Sequence, residues 1–113
     1  MATIYHNPRC GKSRDTLSLL QEKGEQTAIV EYLKTNPTKE QLTDILGMLD
    51  IKPLELIRKG ERIFKEEFKG KDLSDEEWID AMVANPILIE RPIVVKDGKA
   101  AIGRPPEKVL DIL

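Results

Sequence analysis

The spacing of apolar residues changes several times along this chain, and each change marks an element. Thr3-Ile4-Tyr5-His6 is rich in β-branched and aromatic side chains and runs into Asn7-Pro8, so a strand is predicted to end there. From Gly11 onward Leu17, Leu19 and Leu20 supply a helical apolar stripe, and Gly24 stands where a left-handed C-terminal cap is expected. Thr27 to Tyr32 predicts a second strand. Together they make a β-α-β unit within about 32 residues, the length of a parallel crossover.

The middle of the chain reads as helical. Thr38-Lys39-Glu40-Gln41 is a capping box, followed by Leu42, Ile45, Leu46 and Leu49 at helical spacing. Pro53 predicts a short helix carrying Leu54, Ile57 and Arg58, and Ser74 to Glu77 is a second capping box before Trp78, Ile79 and Met82. Between them, Glu61 to Lys71 is dense in charge, with two Phe residues and Gly70, and reads as a mobile connection. Ile93-Val94-Val95, the turn Asp97-Gly98 and Lys99 to Ile102 predict an antiparallel hairpin. Pro105-Pro106-Glu107 opens a closing helix in which Val109, Leu110 and Leu113 are expected to face the sheet. The order is β-α-β, several helices, then β-β-α. The fold class is therefore α/β with a mixed sheet, expected as a single domain over 1–113 with a helical insertion at roughly 38–90.

Composition narrows the function. A chain of 113 residues with 40% hydrophobic and 34% charged side chains fits one soluble globular core, and no run approaches the roughly 20 apolar residues of a membrane span. The opening residues lack a basic start and long apolar stretch, so no secretory signal is read and a cytoplasmic location is expected. Eighteen basic against 20 acidic side chains give a net charge of -2, which offers no bulk attraction to nucleic acid or to a membrane surface. Any anion must be held by local placement.

The single cysteine, Cys10, excludes an internal disulfide and, with only one histidine in the chain, argues against a soft-ligand metal site. A lone cysteine is commonly an inert buried hydrophobe. Here its surroundings point elsewhere. It stands at a predicted helix N-terminus, where the dipole and unsatisfied N–H groups favour a sulfur anion and a bound oxyanion alike. His6, Arg9, Lys12 and Arg14 all lie within four residues of it, which favours a reactive thiolate nucleophile. His6 could support that thiolate by charge or by a hydrogen bond. Ser13 at the second half of a would-be C-x-x-C pair rules out thioredoxin-type exchange, and Thr16 stands where a phosphatase-like loop would need arginine.

The run His6-Asn7-Pro8-Arg9-Cys10-Gly11-Lys12-Ser13-Arg14 resembles the H-x3-C-x3-R motif of the ArsC-type arsenate reductases, a branch of the thioredoxin-like fold. Leu56-Ile57-Arg58-Lys59, Pro86 to Val95 and Gly103-Arg104-Pro105 are similar to that family's other segments, in order and spacing. The resemblance implies Cys10 as the nucleophile, His6 and Arg14 as supports of its thiolate, and Arg58, Arg91 and Arg104 as the arginines that hold arsenate. Guanidinium groups suit that role, since they stay charged and offer forked donors to a tetrahedral oxyanion. Arg91-Pro92 resembles the cis-proline step of thioredoxin-like folds.

The implied activity is arsenate reduction to arsenite, with glutathione as co-substrate, glutaredoxin as partner and no bound cofactor or metal. Two other readings remain open at this point: a regulator of the Spx type that binds RNA polymerase, and a general glutathione-linked thiol reductase. Against better-characterised members, the segment Glu61 to Lys71 differs, and the chain stops soon after its last helix.

Overall fold

A computed structural model describes all residues from Met1 to Leu113. They divide into two compact units, one formed by Met1–Thr35 with Arg91–Leu113 and the other by Asn36–Glu90.

In the first unit, β1 (Ala2–His6), α1 (Gly11–Glu22) and β2 (Thr27–Glu31) follow one another, and the chain returns as β3 (Ile93–Lys96) and β4 (Lys99–Ile102). The sheet order is β2-β1-β3-β4. Strand β1 runs parallel to β2, with Ile4 opposite Ile29, and antiparallel to β3, with Ile4 opposite Val94. The mixed α/β sheet read from the sequence is thus present. Gly24, at φ +70°, closes α1 as expected, and Asp97 and Gly98 both take positive φ in the hairpin turn between β3 and β4.

Period two along β1 buries Ala2, Ile4 and His6 on one face. Ala2 and Ile4 pack with Leu20 of α1, Val94 of β3 and Val109. Ser13, Thr16 and Leu20 make the buried stripe of α1.

The closing segment differs from expectation. Pro106–Ile112 is a 3₁₀ helix, and at three residues per turn Val109 and Ile112 share the inner face, whereas Leu110 and Leu113 are exposed.

The second unit holds α2 (Lys39–Leu49) and α3 (Asp75–Ala84), each started by the capping box visible in the sequence, on Thr38 and Ser74. The Lys39 ammonium bridges Glu76 and Asp80 across the two helices. Two expectations are corrected here. The helix opened by Pro53 is a 3₁₀ turn that stops at Leu56, because Ile57 turns extended and pairs with Ile89. The stretch from Glu61 to Lys71 contains a helical segment instead of a loose connection. Phe64–Phe68 forms a π-helical turn, in which the Lys69 N–H donates to the Phe64 carbonyl at 2.9 Å. That wider turn lets Phe64 and Phe68 both reach Trp78, with ring centroids 6.0 and 6.1 Å away.

Candidate active site

Cys10 is the N-cap of α1, with φ -93° and ψ 123°. Its N–H donates to the Asn7 carbonyl at 3.0 Å, and its carbonyl accepts from the Arg14 N–H at 3.0 Å. The side chain is half-buried and makes no capping bond, so the sulfur is not committed to its own helix. The first N–H groups of any α-helix lack intrahelical acceptors, and the first turn of α1 contains no acidic residue to answer them. An anion at this end is favoured.

The loop leading to Cys10 is held from within. Strand periodicity turns His6 toward α1, where its Nδ1 lies 2.7 Å from the Oγ of buried Ser13. The same Oγ accepts the Asn7 N–H at 3.0 Å, and Asn7 Oδ1 accepts the Arg9 N–H at 3.0 Å. Assigning the Ser13 proton to His6 Nδ1 satisfies this buried hydroxyl and puts the imidazole proton on Nε2. Burial lowers the His6 pKa from 6.5, with Glu31 opposing the shift. Burial thus disfavours charge on this ring, and its Nδ1 anchors the loop through Ser13.

A measurable pH dependence follows. A group whose folded pKa lies below its unfolded value contributes stability above the unfolded pKa and loses it as pH falls. Melting temperature should decline from about pH 7.5 to about pH 5.5, across the ordinary histidine range. His6→Gln should flatten that slope. An equal slope in the variant would assign it to other groups.

Arg104 brings the most direct contact to the sulfur. Its Nη1 lies 3.9 Å from Cys10 Sγ and donates to the Arg91 carbonyl at 3.1 Å. Both peptide bonds flanking this pair, Arg91-Pro92 and Arg104-Pro105, are cis. The first was expected and the second was not. Arg14 is exposed and folds back over the start of its helix, its Nη1 reaching the Pro8 carbonyl at 3.5 Å.

Arg58 belongs to the second unit, where its N–H donates to the Leu88 carbonyl at 2.7 Å. Its guanidinium faces Glu61 and Glu90, each at 3.6 Å, close enough for charge pairing but too long for hydrogen bonds. Its buried Nη1 has no hydrogen-bond acceptor. No cluster of three or more His, Cys, Asp or Glu side chains has the arrangement of a metal site.

Gly103, just before Arg104, shows how closely this end of the first unit is packed. Its N–H donates to the Pro92 carbonyl at 2.9 Å. A Cβ there would run into Thr16 Oγ1 and lie 2.8 Å from Pro92 Cγ. Gly103→Ala should therefore destabilise the protein by about 1–3 kcal/mol, a fall of roughly 4–15 °C in Tm. Adding Thr16→Ala should recover part of the loss in a thermal melt, and a strictly additive pair would refute the clash.

Residues 5–112, which include Cys10 and all three arginines, match the ArsC family. The chain belongs to the ArsC family. This ArsC chain is 41% identical to an arsenate reductase of Escherichia coli K12 over 98% of its length and 79% of that protein. It is 52% identical to the uncharacterised protein YfgD of the same organism, over 97% of this chain and 94% of the other. Among solved structures, an arsenate reductase from Vibrio cholerae superimposes with a TM-score of 0.96 at 45% identity, covering 99% of this chain and 97% of that one. The ArsC fold here is thus the thioredoxin-like α/β fold. No helix in it is long and apolar enough to cross a membrane.

Proposed function

We propose that this protein is an oxidoreductase that converts arsenate to arsenite, with Cys10 as nucleophile and arginines at positions 58, 91 and 104 holding the oxyanion. The observation that carries the reading is the Arg104 guanidinium beside Cys10 Sγ at the N-terminus of α1, braced on the Arg91 carbonyl. A nucleophile next to a fixed cation and a helix N-terminus suits attack on an anion, because positive potential favours both the thiolate and its target. Membership of the ArsC family and the relatives named arsenate reductases support the choice of substrate. The buried Nη1 of Arg58, lacking a hydrogen-bond acceptor, retains a donor for an oxyanion.

The proposed chemistry runs in two steps. Cys10 sulfur bonds to arsenic and one arsenate oxygen leaves as water. Glutathione then attacks the Cys10 sulfur, the sulfur–arsenic bond breaks, and its electron pair stays on arsenic. Arsenic gains two electrons and leaves as arsenite, while two thiols become a mixed disulfide at Cys10. The chain's single cysteine cannot resolve that disulfide internally, so glutaredoxin, drawing on the glutathione pool, completes the cycle in a reducing cytoplasm.

The test is arsenate-dependent NADPH oxidation coupled through glutathione, glutaredoxin and glutathione reductase, with intact mass analysis after single turnover. A glutathione adduct confined to Cys10 is expected only when arsenate is present. Multiple turnovers on thioredoxin alone would require a different reductive cycle.

A further inference from the structure

Arg58 does not stand as a bare cation. Ile57 and Ile89 pair as an antiparallel bridge, with the Arg58 N–H donating to the Leu88 carbonyl at 2.7 Å and the Glu90 N–H to the Leu56 carbonyl at 2.8 Å. Both isoleucines are extended and buried, so the alternation of extended backbone sends the next residue of each segment, Arg58 and Glu90, to the other side together. Glu61 is brought back to the same arginine by a turn in which its N–H donates to the Arg58 carbonyl at 3.1 Å. Backbone bonds thus set a carboxylate on each flank of one guanidinium, Glu61 at Nη1 and Glu90 at Nε, in side chains only 23–27% exposed.

One positive and two negative charges leave an excess of negative charge at a place where burial weakens screening by water. A seat that only attracts anions would not carry that excess. It suits an anion that still holds a proton. Such an oxyanion can accept from the Arg58 guanidinium through an ionised oxygen and donate its O–H to a flanking carboxylate, which has about four acceptor sites and meets Arg58 beyond hydrogen-bond range. A tetrahedral anion without a proton has nothing to donate and meets the carboxylates as like charges. Near neutral pH arsenate and phosphate keep at least one proton, and sulfate keeps none. We propose that Glu61 and Glu90 select, at Arg58, tetrahedral oxyanions that carry a proton, accepting arsenate and phosphate and rejecting sulfate. The assignment rests on Arg58 being an arm of the oxyanion seat, as proposed above.

Inorganic phosphate and sulfate, titrated calorimetrically into the intact protein at matched ionic strength, read the selection apart from turnover. Phosphate should bind at least roughly tenfold more tightly than sulfate. In the double variant Glu61→Gln, Glu90→Gln, amides of nearly the same shape remove the like charges and supply N–H donors. Sulfate should then bind roughly five- to tenfold more tightly than to the parent, and the gap should close. A gain of affinity is not what a damaged fold produces. Glu67→Gln removes an exposed charge in the same unit and should leave the gap as it is. Equal affinities for the two anions in the parent, a double variant whose sulfate affinity does not rise, or closure of the gap by Glu67→Gln would each overturn the selection while leaving arsenate reduction intact. Absent arsenate turnover, with the gap present in the parent and closed in the double variant, would instead refute the reduction and uphold the selection.

Discussion

Cys10→Ser should abolish arsenate turnover, by about three orders of magnitude or more, in a protein that melts no lower than the parent. The loss follows from nucleophilicity: a serine hydroxyl at neutral pH is far weaker than a thiolate, and no base in this loop is placed to activate it. His6, the one imidazole, has its Nδ1 engaged with Ser13. Retained stability follows from position. Cys10 is an N-cap in extended backbone geometry whose sulfur makes no capping bond, and serine is among the preferred residues there. The substitution is thus expected to add a few tenths of a kcal/mol or more to folding while removing the chemistry. Coupled turnover measured beside a thermal melt decides it, and residual activity of a few per cent in a cleanly folded variant would sink Cys10 as the nucleophile.

Arg104→Lys should lower kcat/KM for arsenate by roughly 10- to 100-fold with little change in Tm. Arg104 Nη1 meets both the Arg91 carbonyl and the Cys10 sulfur. Lysine keeps the charge, but its compact ammonium lacks the planar, forked guanidinium that suits a tetrahedral oxyanion. Lys59→Gln is the informative control, since Lys59 is exposed and adjacent in sequence to Arg58. Equal losses from Lys59→Gln and Arg104→Lys would mean that diffuse positive charge, not a defined oxyanion seat, sets the rate.

Signals confined to a few neighbouring residues were readable in advance. Both capping boxes mark real helix starts, Asp97-Gly98 makes its hairpin, and Gly24 ends α1, because each depends on backbone groups no more than a few residues away. Features set by distant partners were not. Ile57 leaves its helical pattern for Ile89, 32 residues on, and Phe64 and Phe68 follow Trp78 instead of their charged neighbours.

The site divides in the same way. Cys10 at a helix N-terminus follows from the strand-turn-helix pattern. Arg104 beside its sulfur depends on a contact across 94 positions, which only the family resemblance anticipated. Ser13 could be read from the sequence only as a missing second cysteine, and its bond to His6 needs the sheet face and the helix face together. The closing 3₁₀ segment misled because a period of 3.6 puts Leu113 on the Val109 face together with Ile112, whereas a period of 3.0 keeps Ile112 there and turns Leu113 out.

The aromatic stack has an optical consequence. Trp78 is the chain's only tryptophan, 4% exposed and packed with Phe64 and Phe68, whereas both tyrosines, Tyr5 and Tyr32, lie in the first unit. Excitation at the red edge of the indole band therefore watches residues 36–90 alone. The unit that carries Cys10 lacks indole fluorescence, so a denaturation curve followed by tryptophan emission describes the half of the molecule that holds Arg58. Overlaying it on the circular dichroism of the whole chain is the direct measure of whether the two halves melt as one cooperative system.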